Sequence, residues 1–230
     1  MLPTNIKRYV FFAYRDWAIN IFNNIQKEFN DDFILITNKN LCTLEFINQL
    51  NPTVIFFYGW SWFVDQKIIN YCPCLCLHPS KLPKYRGGSP IQHQIINGEN
   101  TSAVTIFRMN DTLDAGDIYF QKEFDLIGYL PDILNKIQNL GIEGTIKFIM
   151  EFKYNNIDNI NFIKQNNEEA TIYKRLKPTN SEITSEDFKN YDAKYFYDKV
   201  RCLQKPYPEC YIKCKTGKII LKTVEYEKNL

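Results

Sequence analysis

The chain has 230 residues, 45% of them hydrophobic and 15% aromatic, with a formal net charge of +2. That is ample material for a packed core, in one domain with an appendage or in two small domains. The weak charge argues against a strong field aimed at nucleic acid or an anionic membrane. Seven scattered cysteines, an odd number, argue against a disulfide framework.

The opening segment holds an apolar run too short for the core of a signal peptide. No run of about 18 apolar residues marks a membrane span. A cytoplasmic protein with reduced thiols is therefore expected. Residues 9–13 read as a buried strand, followed by a helix that opens at Arg15-Asp16 and runs to about 29. Residues 33–37 read as a second strand, 44–50 as a short helix with Thr43 as its cap, and 54–57 as a third strand. This alternation of strand and helix predicts an α/β protein with a mostly parallel sheet and helices on its faces.

Ligands bind beyond the carboxyl ends of the strands in such sheets. Three segments end there: Tyr14-Arg15, Tyr58-Gly59-Trp60 and His78-Pro79-Ser80. No Gly-rich phosphate loop follows the first strand, which argues against a nicotinamide dinucleotide. Residues 74–77 read as the next strand. Ser89 is placed to cap a helix with Pro90 at its first position and Gly98 past its end. Strands are predicted over 103–109 and 118–124, then a helix over 131–152 with Gly141 marking a candidate break. Residues 153–167 are polar and Asn-rich and read as a surface linker. A helix over 192–203 and a hairpin across Lys215-Thr216-Gly217 close the chain. The expected division is a core of residues 1–167 and an extension of residues 168–230.

Cys72, Cys74, Cys76 and His78 occupy every second position of one stretch. A strand rises about 3.3 Å per residue, so alternate side chains stand about 6.6 Å apart and this set would span about 20 Å. Zinc ligands lie about 2.0–2.3 Å from one ion. An extended strand cannot meet that demand, so no metal is expected, and Cys72 and Cys74 read as small packing residues.

Two motifs carry a resemblance. The first is His78-Pro79-Ser80 with Leu82-Pro83 and Arg86-Gly87; the second is Leu113-Asp114-Ala115-Gly116-Asp117. With this order and separation the chain resembles the folate-dependent formyltransferases. Within them it looks most like the sugar N-formyltransferases, through Arg86-Gly87-Gly88-Ser89-Pro90, Pro178-Thr179-Asn180-Ser181 and Lys205-Pro206-Tyr207-Pro208. The resemblance implies a Rossmann-like formyltransferase core with a small C-terminal helix and β-hairpin. It also implies N10-formyltetrahydrofolate as co-substrate. The family's Asn two residues before the histidine is Cys76 here, and a thiol is a weak donor.

The resemblance assigns His78 as the base, Asp114 as its orienting carboxylate, and Cys76 to the position of the oxyanion donor. Histidine titrates near working pH, which suits proton transfer from an attacking amine. A satisfied structural histidine and a turn aspartate are the plain alternatives. Folate is expected against Tyr58, Gly59 and Trp60 and against Asp111 and Leu113. Trp60 and Trp62 equally suit simple packing. Arg15, Lys81, Lys84 and Arg86 are the candidate cations for a substrate diphosphate, with Arg86 alternatively a clamp for its own loop.

The leading expectation is formyl transfer to a dTDP-linked 4-amino-4,6-dideoxyglucose for surface polysaccharide. The 3-amino isomer, methionyl-tRNA formyltransferase and an inactive binding module are alternatives. Partners are expected to be small molecules, with no nucleic acid or membrane. An exposed hairpin is marginal alone, and family members often dimerise through this part, so a homodimer is expected.

Overall fold

A computed structural model describes residues 6–228. The first half runs β1 (Arg8–Phe12), α1 (Asp16–Glu28), β2 (Asp32–Ile36), α2 (Leu44–Leu50), β3 (Val54–Tyr58), α3 (Gln66–Ile69), β4 (Cys74–His78) and β5 (Arg86–Gly87). It continues with α4 (Pro90–Ile96), β6 (Thr101–Arg108), β7 (Ile118–Asp125), α5 (Leu130–Tyr154) and β8 (Ile172–Tyr173). The chain closes with α6 (Asp187–Asn190), α7 (Ala193–Cys202), β9 (Tyr211–Cys214) and β10 (Gly217–Ile220).

Six strands form the central sheet in the order β2-β1-β3-β4-β6-β7. The first four are mutually parallel; β6 is antiparallel to β4, and β7 to β6. The alternating pleat sends side chains to two cores. Tyr9, Phe11, Phe56, Tyr58, Leu75 and Leu77 join Ile21, Ile25, Ile137 and Phe148 from α1 and α5. Val10, Phe12, Ile55 and Phe57 meet Ile47 and Ile68 from α2 and α3 on the other face. Both faces are covered, which is why these strands read as continuous apolar runs.

Gly141 does not break α5; it lets the helix approach the sheet. A Cβ there would stand 2.5 Å from Ile21 Cδ1 and 2.8 Å from Leu77 Cδ1. One at Gly144 would stand 2.7 Å from both Ile106 Cδ1 and Phe120 Cδ1. Thr43 accepts from the Phe46 amide and caps α2 as expected. Ser89 does not cap α4. It sits in a left-handed conformation (φ 54°) without a side-chain cap bond, and its Oγ accepts the Leu176 amide instead.

The stretch read as a surface linker is pinned to the core. Ile160 is buried, and Ile163 exchanges two 2.8 Å backbone bonds with Ile118. Farther on, β8 pairs in parallel with β5. The C-terminal hairpin is also tied to its own chain. The Ile183 amide donates to Tyr211 O at 2.8 Å, and Lys213 pairs with Glu182 at 2.6 Å. The hairpin's stability therefore does not by itself call for a second subunit, and the dimer is not shown.

Candidate active site

A cleft of about 880 Å³ opens at the carboxyl ends of β1, β3 and β4, a size usual for small-molecule sites. Cys76, His78 and Asp114 line it together, from the middle of β4, the end of β4 and the loop after β6. The β6–β7 register shifts between Ile106 and Phe107, directly across from Cys76. A bulge at this point turns the following loop toward the cleft.

His78 is 6% exposed, with one ring nitrogen hydrogen-bonded and the other facing a carboxylate. Nε2 lies 2.8 Å from Tyr85 O, and a carbonyl only accepts, so Nε2 carries a proton. Nδ1 faces Asp114 Oδ2 at 3.5 Å. The other lone pairs of Asp114 Oδ2 accept the Gly87 amide at 2.8 Å. The neutral ring thus keeps its free lone pair on Nδ1, beside the carboxylate that stabilises a proton arriving there.

Both residues that grip His78 have unusual backbones. Tyr85 (φ 60°) and Asp114 (φ 49°) are in the left-handed region, as are Ser89, Gly59 and Gly87 on the same rim. Such conformations cost about 1–3 kcal/mol each for residues with a Cβ and persist where surrounding contacts over-determine them. Here the contacts are visible. Ser80 is fully buried and donates to Lys84 O at 2.7 Å, while Thr105 donates to Ser80 O at 2.6 Å. Together they bend the 79–85 loop so that the Tyr85 carbonyl returns to His78.

The Cys76 thiol is pushed well up from its ordinary value by burial first and by the Asp114 charge second. It stays a neutral, weak donor. Cys74 is a packing residue whose Sγ donates to Ile68 O and Cys72 O. Among the described residues no three His, Cys, Asp or Glu side chains gather as a metal site.

Of the residues expected to hold folate, Gly59, Trp60, Asp111 and Leu113 line the cleft. Tyr58 does not. It is fully buried, and its hydroxyl donates to Thr145 Oγ1 at 2.9 Å behind the sheet. Trp60 and Trp62 do both things considered for them: they pack edge to face on each other and form part of the wall. Trp60 Nε1 is buried without a partner among the described residues, leaving a donor for a bound ligand.

Of the candidate cations, only Arg15 reaches the cleft, stacked between Tyr14 and Tyr207 with centroid distances of 4.7 Å and 4.6 Å. Lys81 pairs with Glu123 and Lys84 is exposed away from the cleft. Arg86 is 4% exposed and is the loop clamp, donating to Gln165 and Asn167. Sequence reasoning missed Lys174 and Arg175 on the rim and Gln165 below it. All three belong to a polar stretch without periodic signal; the Ile118–Ile163 bridge brings Gln165 to the site, and pairing of β8 with β5 brings Lys174 and Arg175.

Residues 37–140 match the family model described as formyl transferase. A methionyl-tRNA formyltransferase of Rickettsia canadensis (strain McKiel) is 34% identical over 195 residues, covering 83% of this chain and 61% of that relative. The chain therefore spans about 61% of the length of this curated relative. The solved methionyl-tRNA formyltransferase from Clostridium thermocellum superposes with a TM-score of 0.81 at 28% identity, covering 93% of this chain and 90% of that one. HypX from Aquifex aeolicus, solved in complex with tetrahydrofolic acid, shares the fold (TM-score 0.78, 17% identity, 93% of this chain and 37% of that one).

These matches correct the expectation of a sugar N-formyltransferase, since the relatives with substantial identity are methionyl-tRNA formyltransferases. Residues 37–140 are thus similar to the formyl transferase family model, and the chain shares over 93% of its length the fold of a solved methionyl-tRNA formyltransferase.

Proposed function

We propose that this chain carries out formyl transfer from N10-formyltetrahydrofolate to the α-amine of an aminoacyl-tRNA of the methionyl type. The observation that carries the reading is the His78–Asp114 pair in a ligand-sized cleft, within a chain 34% identical to methionyl-tRNA formyltransferase over 195 residues. The neutral amine attacks the formyl carbon, a new C–N bond forms, and the bond to folate nitrogen breaks. His78 Nδ1 takes the proton from the attacking amine while Nε2 stays on the Tyr85 carbonyl. Asp114 stabilises the imidazolium, which returns the proton to the leaving nitrogen.

Folate suits the wall made by Gly59, Trp60, Trp62, Asp111 and Leu113, where the unpartnered Trp60 Nε1 awaits an acceptor. Cations at the mouth (Arg15, Lys174 and Arg175) suit the phosphodiesters of an RNA end. Residues 168–230 then complete the cleft from its rim instead of forming an independent unit. The chain with N10-formyltetrahydrofolate and methionyl-tRNA is expected to release tetrahydrofolate and give formylmethionyl-tRNA by mass, with tRNA binding that weakens steeply with salt. No transfer and no salt-dependent binding would overturn the reading.

A further inference from the structure

Gln165 sits in a stretch that the sequence marks as linker, yet it makes four hydrogen bonds beneath the cleft. Its Nε2 donates to Asp114 O at 2.9 Å and to Gly116 O at 2.7 Å. Its Oε1 accepts from Arg86 Nε at 3.1 Å and Arg86 Nη2 at 2.7 Å. Only an amide can do this. The two carbonyls demand donors and the guanidinium demands an acceptor, so the orientation of the amide is determined on both sides.

The residue held this way is Asp114, whose left-handed backbone (φ 49°) points Oδ2 at both His78 Nδ1 and the Gly87 amide. Gly116 leaves the loop no slack, because a Cβ there would fall 1.7 Å from Arg108 O. Arg86 in turn sits one residue from the carbonyl that holds His78 Nε2. The bonds therefore close a ring: His78, Asp114, Gln165, Arg86 and back through Tyr85 to His78.

We propose that Gln165 is a positioning residue for the His78–Asp114 pair, fixing the aspartate's carboxylate on the imidazole through its backbone carbonyl, with Arg86 fixing the amide. The proposal rests on the reading of that pair as the proton-transfer site. Replacing the amide by a carboxylate in Gln165→Glu keeps size and the Arg86 contact but turns an oxygen toward two carbonyls. Gln165→Met keeps size without charge.

The test has two readouts. With only two histidines in the chain, the imidazole nitrogens of His78 are assigned by NMR against a His93→Gln variant. At one fixed pH, the Nδ1 resonance of His78 is expected to move in Gln165→Glu and Gln165→Met in the direction seen for Asp114→Asn. It should stay in place in Asn167→Ala, which removes a bond to Arg86 without touching Asp114. In formyl transfer, kcat of the Gln165 variants is expected to fall by about 100-fold, the cost of a misplaced catalytic group, with KM for folate unchanged. Unmoved His78 resonances in folded Gln165 variants would overturn the proposal. So would an equal loss in Asn167→Ala, which would make the whole strap merely structural. If the wild-type chain transfers no formyl group, the proposed function fails, and the NMR comparison still decides the role of Gln165.

Discussion

At the residue scale, the site is equipped unevenly for the two jobs of the proposed formyl transfer. Proton transfer is well provided for: one nitrogen of His78 is committed to Tyr85 O at 2.8 Å and the other faces Asp114 at 3.5 Å. Stabilisation of developing negative charge on the formyl oxygen is not, because the side chain two residues before His78 is a thiol held neutral by burial. A missing oxyanion donor costs about 100- to 1,000-fold in kcat. Cys76→Asn is therefore expected to keep turnover or raise it by up to about 100-fold, read by tetrahydrofolate release. Collapse of turnover in a well-folded Cys76→Asn protein would mean that the thiol is not simply standing in an amide's place.

At the element scale, the site depends on close approaches that only glycine permits. Helix α5 crosses the sheet through Gly141 and Gly144. In an isolated helix Gly→Ala would stabilise by about 1 kcal/mol. At Gly144 the added Cβ meets the Phe120 ring at 2.7–2.9 Å, and a ring yields less readily than the tip of an aliphatic chain. Gly144→Ala is expected to lower stability by about 1–3 kcal/mol, the usual cost of overpacking, in urea denaturation. A gain in stability would show that α5 is free to move off the sheet. The β5–β8 pair is the second such place: a Cβ at Gly87 would stand 2.3 Å from Tyr173 O. That close approach keeps the part of the strap bearing Lys174 and Arg175 on the cleft.

At the scale of the whole molecule, buried tyrosines and buried thiols together set the response to alkali. Burial pushes the Tyr85 hydroxyl up to about 12, with its bond to Glu99 adding and Asn97 opposing. Burial also pushes Tyr195 up to about 12, helped by Tyr191, and holds Tyr58 above the ordinary range. Unfolded tyrosines ionise near about pH 10. Above that value the folded chain binds more protons than the unfolded one, so stability falls as pH rises. Burial likewise pushes the Cys42 and Cys210 thiols up to about 11, against about 8.5 for an unfolded thiol, so thermal midpoints are expected to hold below about pH 8 and to fall from there to about pH 12. Tyr85→Phe should flatten part of that drop; an unchanged slope would remove Tyr85 from the cause.

The sequence by itself determined the α/β alternation, the positions of most strands and of α1, α2 and α7, and the meeting of His78 with Asp114. Those features rest on local periodicity or, for the pair, on the family resemblance that the two motifs carry. It also suggested a sugar-nucleotide acceptor, which the relatives corrected. Tertiary structure alone decided that Tyr58 points behind the sheet, that Arg86 is a clamp, and that Lys174, Arg175 and Gln165 reach the cleft. The physical reason is the same in each case. A buried polar or charged group takes its role from the partner that satisfies it, and here those partners lie far along the chain: Thr145 comes from α5, and the strap is brought in by the Ile118–Ile163 bridge and by pairing between residues 86–87 and 172–173, none of which a local pattern announces.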